Sequence, residues 1–134
     1  MPERYTFDSE AILAFYFAEK GGDIVRDLLE RVRSGAAEGY INIINITEIY
    51  YILSRLSPEL AEEKQNNLRW HGLKVVRVED DGLWREAAKV KANHSLSLAD
   101  AFAVATGEAF KSKLVVGSDK EFRELNIQLL KIRE

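Results

Sequence analysis

Residues 97–122 constrain the fold more than any other stretch. They run Ser97-Leu98-Ala99-Asp100-Ala101-Phe102-Ala103-Val104-Ala105-Thr106-Gly107, then Glu108-Ala109-Phe110-Lys111-Ser112-Lys113, then Leu114-Val115-Val116-Gly117-Ser118-Asp119-Lys120-Glu121-Phe122. The first part has the small residues of a closely packed helix and a carboxylate, Asp100, in its first turn. Leu114-Val115-Val116 is the short apolar run of a strand buried on both faces. A second carboxylate, Asp119, follows where that strand should end. Helix, strand, then acid is how an open parallel sheet presents charge at the carboxyl edge of its strands, where such folds bind ligands.

The rest of the chain repeats the alternation. Arg4-Tyr5-Thr6-Phe7 is a β-prone run ended by Asp8. Residues 9–20 are apolar nearly all round (Ile12, Leu13, Phe15, Tyr16, Phe17), so that helix is buried on several sides or meets a partner. Gly21-Gly22 stops it. A second helix carries Ile24, Val25, Leu28, Leu29 and Val32 on one stripe. Gly39-Tyr40-Ile41-Asn42-Ile43-Ile44 predicts the next strand, and Asn45-Ile46-Thr47-Glu48 a helix start. Ser57-Pro58-Glu59 is a cap, a first-turn proline and an acid, opening a mostly polar helix to Trp70. Residues 73–78 form a third strand. Asp80-Asp81 begins another helix. A short helix after Asp119 and a last strand over 128–132 complete the pattern. Strands alternating with helices predict an α/β fold with a parallel sheet covered on both faces. No repeat or linker divides residues 1–134, so one domain is expected.

Composition narrows the chemistry. Cysteine is absent, and His71 and His94 are the only histidines. Thiolate and histidine-rich metal sites are excluded, leaving oxygen ligands and hard ions such as Mg²⁺ or Mn²⁺. The net charge of −3 argues against the broad basic surface of a general nucleic-acid binder. It does not exclude nucleic acid, because a metal in an acidic pocket inverts the local charge. No signal peptide or membrane-spanning run is evident, so a cytoplasmic location and no membrane partner are expected.

Asp8, Glu48, Asp100 and Asp119 stand where strands give way to helices or in a helix's first turn. Each has an ordinary explanation. Asn45-Ile46-Thr47-Glu48 matches a capping box, Ser97-Leu98-Ala99-Asp100 is its aspartate form, and Asp8 and Asp119 suit N-caps. Together they mean more. A doubly wound sheet brings all four to one edge, and clustered carboxylates repel unless a cation neutralises them. Neutral caps would serve helix starts equally well, so four acids suggest a metal. Paired divalent ions in such a cluster cut phosphodiesters by in-line attack of water.

These segments resemble the PIN-domain ribonucleases, most closely the VapC-like toxins of toxin–antitoxin pairs. The resemblance spans the chain: a strand then Asp8-Ser9, Asn45-Ile46-Thr47-Glu48-Ile49, Leu96-Ser97-Leu98-Ala99-Asp100-Ala101, and Leu114-Val115-Val116-Gly117-Ser118-Asp119-Lys120-Glu121-Phe122. It implies a three-layer α/β/α fold with a five-stranded parallel sheet in order 3-2-1-4-5. It implies Mg²⁺- or Mn²⁺-dependent endoribonuclease activity leaving a 5′-phosphate and a 3′-hydroxyl. Asp8, Asp100 and Asp119 would be metal ligands, and Glu48 a ligand or the group orienting the attacking water. RNA would be the substrate, a VapB-like antitoxin the partner and a homodimer the assembly. Two departures stand out. Gly117 replaces a Ser or Thr often found two positions before the last acid, and Glu10 stands where a small polar residue is common. A non-catalytic PIN-fold RNA-binding scaffold, or a metal-dependent phosphodiesterase acting on DNA, are the alternatives.

Other residues carry less. Asp80 and Asp81 read as helix-start acids rather than a phosphoacceptor site, because no acidic pair follows the first strand in the required form. Trp70 and Trp84 read as packing residues, His94 as a solvated or capping histidine, and Glu121 as a surface glutamate, with an outer ligand at the acidic edge as its alternative.

Overall fold

The computed structural model describes residues 2–118 and 120–134. Five strands form one sheet in the order β3-β2-β1-β4-β5, with every neighbouring pair parallel. The expected topology is therefore the observed one. The strands are β1 (Glu3–Phe7), β2 (Ala37–Asn42), β3 (Lys74–Val76), β4 (Lys113–Val116) and β5 (Leu129–Lys131). The helices are α1 (Ser9–Tyr16), α2 (Gly22–Arg33), α3 (Ile43–Ser54), α4 (Pro58–Trp70), α5 (Asp81–Asn93) and α6 (Leu98–Ala109).

β1 is central, and its last three residues, Tyr5, Thr6 and Phe7, are all buried. A strand covered on both faces leaves no polar-out alternation, which is why Leu114-Val115-Val116 reads as an unbroken apolar run. One core joins Tyr5, Phe7, Ile12, Val25, Leu29, Ile41, Ile49, Leu53 and Val115 on the α1–α4 side. A second joins Val90, Leu96, Val104, Leu114, Val116 and Phe122 on the α5–α6 side. The α6 run from Ala101 to Gly107 is buried throughout, which its mostly small side chains allow. Gly39 lets β2 lie under α2, because a Cβ there would stand 2.5 Å from Leu73 Cδ2 and 2.9 Å from Val32 Cγ2.

Several boundaries differ from the sequence reading. α1 ends at Tyr16 because Ala18 turns into the left-handed region (φ 53°). Gly22 begins α2 and packs against α1: a Cβ would lie 2.5 Å from the Ala14 carbonyl oxygen. α3 starts at Ile43, two residues before the expected capping box. Asn42 is its cap, accepting from Ile44 N at 2.8 Å. The described residues after Asp119 form turns, with no helix over 120–125. Phe122 anchors those turns by burying its ring in the second core.

Trp70 and Trp84 are 58% and 41% exposed, not core residues. Arg33 lies over the Trp70 ring at 3.8 Å, and Asp81 accepts from Trp84 Nε1 at 3.1 Å. Asp80 caps α5 through Gly82 N, as expected of a helix-start acid. No helix among the described residues is long and apolar enough to cross a membrane.

Candidate functional site

The carboxyl edge of the sheet holds a cavity of about 350 Å³ lined by Asp8, Ser9, Glu10, Glu48, Asp100 and Glu121, with Leu13, Phe17 and Ile52 among its apolar residues. The sequence brings these groups there by separate routes. Asp8 follows the last residue of β1, and its backbone N–H continues the ladder to Val115 O at 3.0 Å. Glu48 lies inside α3, not in its first turn, and is half-buried. Asp100 is in the first turn of α6. Asp119 falls outside the described residues.

The cap explanation succeeds for one acid and fails for another. Ser97 and Asp100 form a reciprocal capping box: Asp100 N donates to Ser97 Oγ at 3.0 Å, and Ser97 N to Asp100 Oδ2 at 3.3 Å. That bond fixes the Asp100 side chain at the cavity wall. Asp8 occupies the N-cap position of α1 yet makes no cap bond. It is only 2% exposed, and its Oδ1 is buried without a hydrogen-bond partner among the described residues.

An unpartnered buried carboxylate oxygen is costly. Burial pushes the Asp8 pKa well above the usual range, and the Asp100 carboxylate pushes further. The nearby Ser9 N–H opposes the shift, while Glu48 and Glu10 add to it. Glu121 is also raised, by burial and then by Asp100 and Glu10, with Lys120 opposing. The sequence reading left Glu10 outside the acidic set and gave Glu121 a place at its edge only as an alternative. Only the folded chain shows that both line the cavity.

Asn45 holds the acid-bearing elements together. It is fully buried inside α3, and its amide donates to Ser9 Oγ at 3.1 Å and to Ala99 O at 3.2 Å. Ser9 follows Asp8 and Ala99 precedes Asp100, while Glu48 lies three residues beyond Asn45. A second buried tie joins β2 to α6: Asn42 donates to Thr106 Oγ1 at 2.9 Å, and that hydroxyl donates to Phe102 O at 2.7 Å.

The donors facing the cavity are oxygens, the set that hard divalent cations take. Asp8 Oδ1, buried and unpartnered, fits such an ion. Among the described residues no group of three or more His, Cys, Asp or Glu is arranged to hold a metal as it stands. His71 and His94 do not line the cavity.

A doubly wound sheet with acids gathered at its carboxyl edge defines a class of α/β proteins that work at that edge. Within that class the family is specific: the PIN-domain profile matches residues 5–128, and the chain belongs to the PIN-domain family. No curated protein matches it. Among solved structures it resembles the DNA-bound VapBC from Salmonella typhimurium, at 15% identity and TM-score 0.75, covering 98% of this chain and 99% of that one. It also resembles VapBC2 from Rickettsia felis bound to a DNA fragment from its promoter, at 15% identity and TM-score 0.74, covering 96% and 98%. A toxin–antitoxin complex from Klebsiella pneumoniae is similar at 12% identity and TM-score 0.73, covering 97% and 98%. At these identities the likeness is one of fold.

Proposed function

We propose that this chain is a metal-dependent endoribonuclease and the VapC-like toxin of a toxin–antitoxin pair. The observation that carries the reading is Asp8, a buried carboxylate at an N-cap position with no cap bond and an unpartnered oxygen. Without a cation, crowding it with other acids costs stability; with one, the same crowding is favourable. Asp8, Asp100, Glu48 and Asp119 would hold Mg²⁺ or Mn²⁺. A bound ion would lower the pKa of water and neutralise charge on a scissile phosphate.

The chain's own residues supply the rest. Asp100 is held in place by its bond from Ser97 N. Glu48 makes no hydrogen bond among the described residues, which leaves its carboxylate available to orient the attacking water. Leu13, Phe17 and Ile52 give the cavity an apolar side. That side suits the apolar face of a partner helix, and the acids beside it suit an arginine on the same partner. An antitoxin of this kind would inhibit by occupying the space and charge that substrate needs. The neighbouring structures from Salmonella, Rickettsia and Klebsiella, described as VapBC or toxin–antitoxin complexes, support this partner. A homodimer and action in the cytoplasm belong to the same reading.

Purified protein incubated with single-stranded RNA or DNA, with Mn²⁺ or with chelator, tests it. RNA cut only in Mn²⁺ is the expected result. Cutting of DNA alone would indicate a different phosphodiesterase. RNA binding without cleavage would indicate a non-catalytic scaffold.

A further inference from the structure

The two departures at Glu10 and Gly117 are in contact. Glu10 lies in the first turn of α1 and lines the acidic cavity. Gly117 directly follows β4. A Cβ at position 117 would stand 2.6 Å from each Glu10 carboxylate oxygen. Gly117 is not in the left-handed region, so this glycine provides room, not backbone freedom. The Glu10 carboxylate fills the space that a side chain at 117 would take.

Arg133 holds it there. Its Nη2 donates to Glu10 Oε1 at 2.9 Å, and its Nη1 donates to Lys20 O at 3.1 Å and lies 3.4 Å from Glu19 Oε1. Its backbone N–H donates to Gly117 O at 3.1 Å. One arginine therefore clamps the start of α1, the loop after it and the end of β4. It engages Oε1 of Glu10 and leaves Oε2 without a hydrogen bond among the described residues.

We propose that Glu10, given room by Gly117 and oriented by Arg133, is a further carboxylate of the cation site, filling the place of the missing side chain at 117. This rests on the reading of the cavity as a divalent-cation site. Burial supports it independently, because Asp8 beside it is almost fully buried and has an oxygen without a partner. A surface ion pair between Glu10 and Arg133 would need neither the close approach to Gly117 nor a place in the cavity.

Titration calorimetry with Mn²⁺ tests the proposal on wild type, Glu10→Gln, Gly117→Ala and the double variant, beside RNA cleavage and thermal melting. Glu10→Gln keeps an oxygen for Arg133 but loses the charge. Its Mn²⁺ affinity should fall about tenfold, the loss typical when a carboxylate supporting a metal site is removed. Gly117→Ala should also weaken Mn²⁺ binding, because the new methyl displaces Glu10. The double variant should bind about as weakly as the weaker single variant, since both changes act through one carboxylate. Wild-type Mn²⁺ affinity in Glu10→Gln would overturn the proposal, leaving Glu10 as a brace for the C-terminal segment. Fully additive losses would overturn it as well. Failure of the nuclease reading looks different: wild type binds Mn²⁺, Glu10→Gln binds it more weakly, and neither cuts RNA. Wild type that binds no Mn²⁺ overturns both.

Discussion

Asn45 and Ser9 hold each other from both sides: the Asn45 side-chain amide donates to Ser9 Oγ at 3.1 Å, and Ser9 Oγ donates to the Asn45 backbone carbonyl at 3.3 Å. The second amide hydrogen of Asn45 reaches Ala99 O. One buried side chain thus fixes the spacing between α1, α3 and α6, the three helices that carry Asp8, Glu48 and Asp100.

Asn45→Ala should therefore damage both fold and site. It leaves one side of the Ser9 hydroxyl unpartnered in the interior and removes the second donor to the Ala99 carbonyl, which keeps only its α6 bond, at a cost of about 1–3 kcal/mol. Chemical denaturation should show a lower midpoint with an unchanged slope. Mn²⁺-dependent cleavage should fall further than the folded fraction does. Cleavage that simply tracks the folded fraction would mean the network does not set the spacing of the acids.

Asp8 makes a pH prediction with a definite sign. Its folded-state pKa lies well above the ordinary aspartate value of about 3.9. The folded state thus binds the proton more tightly than the unfolded chain. Stability is unpenalised below the unfolded value, and the penalty grows as pH rises through the folded pKa. In chelator, wild type should lose stability from about pH 4 upward. Asp8→Asn should flatten that slope, melt no lower than wild type at neutral pH, and lose about a hundredfold or more of the Mn²⁺-dependent activity. Thermal melts across pH 4 to 8 check this, and identical slopes for the two proteins would count against it.

Phe17 separates the partner surface from the core. Phe15 packs against the core and lines another cavity, with Gly21, Gly22 and Arg26. Phe17 is 41% exposed and lines the acidic one. Phe17→Asp should keep the circular dichroism spectrum and weaken inhibition by the antitoxin at least tenfold, the order expected when a central apolar anchor is lost. Undiminished inhibition of a folded Phe17→Asp protein would place the partner elsewhere.

Gly39→Ala tests the packing of α2 on the sheet. The added methyl meets Val32 and Leu73. Overpacking of this kind costs about 1–3 kcal/mol, readable as a lower denaturation midpoint, with no direct effect on Mn²⁺ binding.

The parallel sheet and its acid-bearing edge were legible from the alternation of strands with helices and from the apolar runs, whereas the strand order came only from the resemblance to PIN domains. Asp100 was legible twice over, as a cap and as a site acid, and it is at once a capping-box member and a cavity residue. Asn45 was misread: a helix-start asparagine and a buried asparagine one turn further on look alike in sequence, and only the earlier start of α3 at Ile43 decides between them. Glu10 was hidden for a different reason. A glutamate beside a helix start is ordinary. What makes Glu10 unusual is a distant arginine at position 133 and a glycine at 117, a relation between residues more than a hundred positions apart. Trp70 and Trp84 look like core residues by type, but α4 and α5 turn them outward, where neighbouring polar side chains partner them.

The central place of β1 has a consequence for the order of events during synthesis. β1 pairs with β4 through Phe7 and Val115, residues separated by nearly the whole chain. Asp8 takes its position from that pairing, and Glu10 from Arg133, 123 positions further along the chain. Pairing between such distant segments must wait for the later one to appear. A growing chain therefore exposes its acids one at a time and assembles them only once β4 and Arg133 have emerged. If the edge cuts RNA, a chain not yet extended through β4 is harmless to the messenger from which it is being translated.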